Sequence, residues 1–140
     1  MLRILYQSTN LIRSDSPAFF WMIATLLSEC LARNARCGIT GALMFGDGRF
    51  LQVLEGPEDA IDAIFMRINC DCRHQNVRLL SRTHSDKRLF AAWTMAFVGP
   101  PIDVAPIFGL LDAPVGRPDR HCGIIIDALA SSVNGAAPLQ

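Results

Sequence analysis

Gln52 stands inside a stretch that otherwise reads as a buried strand. In "RFLQVLEGP", residues 49 to 57, its neighbours Phe50, Leu51, Val53 and Leu54 are all apolar. Strand periodicity places Gln52 on one face with Phe50 and Leu54, and Leu51, Val53 and Glu55 on the other. A primary amide carries two donors and an acceptor, and burying them unpaired is unfavourable. The same alternation in "LRILYQS", residues 2 to 8, sets Tyr6 on one face with Leu2 and Ile4. Trp93, Met95 and Phe97 alternate likewise in "WTMAFVG". Asn34 falls on a helical stripe with Ile23, Leu27 and Cys30, at i, i+4, i+7 and i+11. A second helical line holds Ala60, Ile64, Arg67, Asp71 and His74. A flat polar ligand would satisfy Gln52, Asn34 and Arg67 together, although periodicity does not name it.

Each residue also has a plainer reading. Tyr6 fits a core tyrosine with its hydroxyl at the rim, and Trp93 and Met95 fit core filler. Asn34 fits the end of a helix, and Arg67 with Asp71 an exposed i, i+4 pair. His74 fits a surface or capping position. Gln52 is different, because an inward amide on a central strand needs partners and no sequence neighbour supplies them.

The elements that position these residues follow from the pattern. After the first strand, Ser16 and Pro17 form a helix start as N-cap and first helical residue, and the helix is expected to run to about residue 34. "GITGALMF", the turn "GDG" and "RFLQVLEG" read as a β-hairpin. "PEDAIDAIFMRINCD" reads as a second helix, with Pro57 in its first turn, Glu58 and Asp59 complementing its dipole, and Ile61, Ile64, Phe65 and Ile68 as its apolar stripe. "VRLLSRTHS" and "WTMAFVG" are a fourth and a fifth strand. The order β-α-β-β-α-β-β is the split-βαβ, ferredoxin-like plan of the α+β class, with two helices on one face of an antiparallel-rich sheet. "GPP" at 99 to 101 closes that core. Two short C-terminal helices, at 102 to 112 and 119 to 130, are expected to cover the other face. The expected organisation is therefore a core over 1–98, a helical cap over 99–130 and a disordered tail over 131–140.

Composition narrows the classes. At 140 residues one domain is the default, and 51% hydrophobic against 19% charged residues describes a globular chain with apolar surface to spare for a pocket or an oligomer interface. A formal net charge of zero supplies no field for nucleic acid or an anionic membrane. No apolar run is long enough to cross a bilayer, and the N-terminus lacks the build of a signal peptide. Five cysteines, an odd number, argue for reduced thiols and a cytoplasmic location. The cluster "CDCRH" lacks the CxxC spacing of zinc sites, so no metal is expected.

Five stretches, taken in order, resemble the BLUF domain: "YQS" at 6 to 8, "NARCGITGALMF" at 34 to 45, "FLQVLEGP" at 50 to 57, "RINCDCRHQNV" at 67 to 77 and "RLFAAWTMAF" at 88 to 97. The likeness covers about residues 1 to 98 and is nearest to short, single-domain members. It implies a blue-light photoreceptor with a flavin held non-covalently between the two helices: FAD, with FMN and riboflavin as the other candidates. The implied cofactor-binding residues are Tyr6, Ile23, Asn34, Gln52, Leu54, Arg67, Asp71 and His74, with Asn34 toward the pyrimidine edge of the ring. The implied photoactive residues are Tyr6, Gln52, Trp93 and Met95, the last two as a pair that exchanges places near the glutamine. Arg33, which precedes Asn34, receives no ring contact. A phenol is oxidisable, and an amide can swap donor for acceptor at nearly constant volume, so these types suit light-driven electron and proton transfer from Tyr6 through Gln52. The implied output is a signal to a downstream effector protein, with a homodimer as a further partner and no catalytic activity of the chain's own. Two rival readings are a colourless ferredoxin-like dimerisation or small-ligand module, and a flavin-dependent enzyme. The second lacks an evident base, nucleophile or G-x-G-x-x-G fingerprint.

Overall fold

A computed structural model describes residues 1–11, 15–72, 74–98, 104–112 and 118–134. Its elements are β1 (Leu2–Asn10), α1 (Pro17–Cys37), β2 (Thr40–Gly46), β3 (Arg49–Gly56), α2 (Glu58–Asn69), β4 (His74–His84), β5 (Ala96–Val98), α3 (Ala105–Asp112) and α4 (Pro118–Asn134). The sheet order is β4-β1-β3-β2-β5. β1 runs antiparallel to both β3 and β4, β2 antiparallel to β3, and β5 parallel to β2. This is the expected α+β, split-βαβ arrangement, with β3 at the centre between β1 and β2.

Two apolar layers sandwich the sheet. Leu2, Ile4 and Tyr6 of β1 and Phe50 and Leu54 of β3 join Phe19, Met22, Ile23 and Cys30 of α1 and Ile61 and Ile64 of α2. Leu5, Leu51 and Val53 point the other way and meet Ile107 and Phe108 of α3 and Ile125, Ile126, Leu129 and Val133 of α4. Strand alternation therefore sorts the residues as the sequence predicts, and the two C-terminal helices cover the second face. The hairpin turn has Asp47 and Gly48 at φ 53° and 68°, the positive pair that a primed two-residue turn requires. Its neighbour Arg49 clamps α3, with Nη1 and Nη2 donating to the two carboxylate oxygens of Asp112 at 2.7 and 2.8 Å.

Several boundaries differ from expectation, each for a local reason. α1 continues one turn past Asn34, because Gly38 is the first residue suited to the left-handed cap. Gly38 adopts φ 69° and its N–H reaches the Asn34 carbonyl. Pro57 precedes α2 as its cap with extended backbone, and is not a first-turn residue. α2 stops at Asn69, so Asp71 and His74 do not continue its helical line. His74 instead opens β4 and pairs with Asn10 of β1, and its side chain lies outside the described ones. β4 begins there and not at Val77, because Asn76 accepts φ 55° where the β1–β4 register slips, and so absorbs a bulge. β5 has three residues, so Trp93 and Met95 lie before it and strand periodicity does not govern them. α4 extends through 131–134, which the sequence pattern had placed in the tail, and buries Val133. "GPP" and residues 135–140 lie outside the described residues. Among the described residues no helix is long and apolar enough to cross a membrane.

Candidate functional site

A cavity of about 340 Å³ opens between α1, α2 and the sheet, inside the roughly 300–1,000 Å³ range of small-molecule sites. Its floor is Tyr6, Leu43, Phe50, Gln52 and Leu54. One wall is the α1 line Met22, Leu26, Glu29, Arg33, with Cys30 and Asn34 beside it. The other is Ile64, Arg67 and Ile68 of α2, continuing into Cys70, Asp71 and Cys72. Apolar side chains alternate with polar ones: Tyr6 and Gln52 on the floor, Glu29, Arg33 and Asn34 on one wall, Arg67 and Asp71 on the other.

Sheet register makes the central pair. Tyr6 on β1 lies directly opposite Gln52 on β3, and Gln52 also lies opposite Leu43 on β2. The Tyr6 hydroxyl donates to Gln52 Oε1. Gln52 Nε2 donates to the Met95 sulfur at 3.3 Å. Gln52 is only 4% exposed, so both ends of its amide are committed inside the protein. Met95 belongs to the cavity-side layer, whereas Trp93 packs in the α3/α4 layer. The expected sharing of one face by Trp93 and Met95 is thus corrected. The chain between them is irregular, and it sends the indole through to the far side.

Asn34 is buried at 1% exposure, and its Nδ2 donates to the Thr94 carbonyl at 2.8 Å. Its Oδ1, and Nε of the adjacent Arg33, are buried without a hydrogen-bond partner among the described residues. A buried acceptor left unpaired costs about 1–3 kcal/mol. Both residues belong to the α1 wall of the cavity.

Of the expected site residues, Tyr6, Asn34, Gln52, Leu54, Arg67 and Asp71 line the cavity together. Ile23 does not: it is buried in the apolar layer one helical position away from Met22, which does line it. The lining of α1 is wider than the expected stripe: Cys30 and Asn34 of that stripe line the cavity, joined by Met22, Leu26, Glu29 and Arg33 one position away. Arg33 lines the cavity although it was given no contact. Its stripe with Met22, Leu26 and Glu29 has regular i, i+4, i+7, i+11 spacing, but the two charged members look solvent-facing in the sequence.

Burial raises the Tyr6 phenol well above its ordinary value of 10.0; Cys30 and Asp71 add to the rise and Arg33 opposes it. The folded state therefore prefers the neutral phenol. The stability this preference brings is complete below about pH 10 and is lost as pH rises beyond it, since the unfolded chain then gives up a proton that the folded one keeps. Tyr6 is the only tyrosine in the chain, so ultraviolet phenolate absorbance reports it alone. On alkaline titration the phenolate signal is expected to appear only with loss of the circular dichroism of the fold. Phenolate formation near pH 10 in the intact fold would contradict the burial argument.

The fold and site define a single α+β ligand-binding unit whose pocket lies between two helices and the floor of a sheet. A family model described as BLUF, sensors of blue-light using FAD, matches residues 1–96. The chain belongs to this BLUF family of flavin-binding blue-light sensors. The dark-state structure of BlrB, a BLUF protein, is similar at a TM-score of 0.75 and 28% identity, over 94% of this chain and 96% of that one. The photo-activated state of BlsA shares the fold at a TM-score of 0.77 and 23% identity, over 92% and 94% of the two chains. The photoactivated adenylate cyclase subunit beta of Euglena gracilis is 34% identical over 88 residues, 62% of this chain and 10% of that protein. The blue light- and temperature-regulated antirepressor BluF of Escherichia coli (strain K12) is 35% identical over 79 residues, 56% of this chain and 19% of that protein. The chain thus spans a small fraction of these curated relatives.

Proposed function

We infer that this chain is a blue-light photoreceptor in which Tyr6 and Gln52 form the switch, with FAD as the chromophore, and that it signals to a separate effector protein without catalysis of its own. The observation that carries this reading is the buried chain of contacts Tyr6 O–H to Gln52 Oε1, and Gln52 Nε2 to Met95 Sδ, on the floor of the cavity. The residues present suit a flavin. Apolar side chains from both helices line the cavity, and Asn34 and Arg33 on its α1 wall have hydrogen-bonding capacity that the described residues leave unused. Leu54, Arg67 and Asp71 complete the set that would hold it.

When bound, the flavin supplies blue-light absorption and an excited-state electron acceptor. Tyr6 is the electron donor. Its raised proton affinity keeps the phenol neutral in the dark, and loss of an electron makes the same proton strongly acidic. That proton leaves along the existing bond to Gln52 and returns with the electron. Gln52 is left with its amide reversed or tautomerised, which exchanges donor and acceptor at constant volume. Met95 then faces a different group of Gln52. Thr94, held by Asn34, and the chain behind it carry the change toward α3 and α4.

A visible spectrum before and after blue light tests the reading. The purified protein is expected to be yellow and to show a reversible red shift. A colourless preparation with no flavin peak would end it. Light-dependent capture of a partner protein, or a change in oligomeric state, would test the output.

A further inference from the structure

Glu55 is fully buried, lines no part of the cavity and has no part in the light reaction just described. Its contacts are unusually complete. Oε1 accepts from Thr40 Oγ1 at 2.9 Å and from the Phe90 amide at 2.7 Å. Oε2 accepts from Arg3 Nε at 3.2 Å and from the Leu89 amide at 3.1 Å. Two of these four donors are successive backbone amides of the irregular segment between β4 and β5. Arg88 of that segment reinforces the attachment, donating to Thr40 Oγ1 at 2.9 Å, to the Glu55 carbonyl at 3.2 Å and to the Gly38 carbonyl at 2.7 Å.

The segment is then led to Gln52 by further bonds. The Trp93 amide donates to the Phe90 carbonyl at 2.9 Å, and the Trp93 carbonyl accepts from the Gly41 amide at 3.0 Å. Two residues later Met95 receives Gln52 Nε2. Glu55 and Gln52 stand three residues apart on β3, on opposite faces of the sheet. One strand therefore carries both the amide that switches and the carboxylate that anchors the segment facing it.

The geometry points to Glu55 as a positioning residue of the photoswitch: by holding the Leu89 and Phe90 amides it sets Met95 against Gln52 and keeps Trp93 on the far face. This rests on the photoreceptor reading above. A carboxylate suits the task because each oxygen can accept two bonds. An amide replaces one oxygen with a donor, which would meet two donors head on.

The test is Glu55→Gln in the flavin-loaded full chain, in a Trp21→Phe background so that Trp93 is the sole indole. Exchange of the Leu89 and Phe90 amides is expected to quicken by about tenfold or more, the effect of losing an amide hydrogen bond. Trp93 fluorescence is expected to shift, and dark recovery after blue light to change by about tenfold as well. The deciding measurement is a cycle with Met95→Leu. If Glu55 acts through Met95, the change in recovery rate that Met95→Leu causes in the parent chain shrinks or vanishes in the Glu55→Gln chain. Equal fold-changes in both backgrounds would overturn the proposal, because a merely structural role gives additive effects. Should Glu55→Gln not fold, Arg88→Met loosens the same segment while leaving the carboxylate in place, and the same cycle applies. A parent chain with no light shift overturns the photoreceptor reading itself and this proposal with it. A normal parent shift with an additive cycle overturns this proposal alone.

Discussion

Gln52→Leu is expected to abolish the reversible light-induced red shift while flavin stays bound. Leucine nearly matches glutamine in volume and suits a position between Phe50 and Leu54, so the cavity floor keeps its shape. What disappears is the acceptor for the Tyr6 hydroxyl and the donor to the Met95 sulfur. The phenol is then buried without its acceptor, a stability loss of about 1–3 kcal/mol. That leaves a folded, yellow protein with no group able to hand on the Tyr6 proton or to change its hydrogen-bond pattern. Tyr6→Phe is expected to give the same spectral result from the other side of the bond. Difference spectra under blue light, with bound flavin quantified in parallel, check both. A normal shift in both variants would refute the switch.

The second large effect is on the fold. Gly41→Ala is expected to destabilise the chain by about 3 kcal/mol, at the upper end for overpacking, and to lower its melting temperature by roughly 10 °C. A Cβ at Gly41 would stand 2.0 Å from the Val53 carbonyl oxygen and 3.3 Å from the Leu54 Cα. Those are backbone atoms of β3, with no flexible side chain to swing away. Either β2 separates from β3 beside Gln52, or Gly41 tilts and loosens its amide bond to the Trp93 carbonyl. Thermal melting followed by circular dichroism measures the loss. A variant within about 0.5 kcal/mol of the parent, the ordinary range for surface changes, would show that the sheet yields more easily than close packing implies.

Much of this site was legible in the sequence, because a strand repeats every two residues and has no freedom to do otherwise. The alternation of "LRILYQS" and "RFLQVLEG" places Tyr6 and Gln52 inward, and the structure sets them opposite each other. Helix phase is less forgiving: Cys30 and Asn34 of the expected stripe line the cavity, but at the start of α1 Met22 lines it and Ile23 turns into the apolar layer. The helical line through Asp71 and His74 failed because it assumed that α2 continued beyond Asn69. Trp93 and Met95 were separated by a loop whose course is set by distant groups. Gly41, Asn34 and Glu55 each bond to it, from 34 to 60 residues away in the chain. Glu55 gave no local signal of its role, since its four partners, Arg3, Thr40 and the successive Leu89 and Phe90, come from three separate parts of the chain.

Tyr6 and Gln52 stand on interior strands, each bonded to neighbours along both edges. Met95 stands on a stretch outside the sheet that is tied to it at a few points, and Asn134, at the end of α4, holds the same stretch through the Leu89 carbonyl at 3.0 Å. In mechanical terms the molecule has a stator and an armature. The Tyr6–Gln52 pair is bolted to the frame, and the Met95 stretch that faces it is the one already coupled to the outer helix.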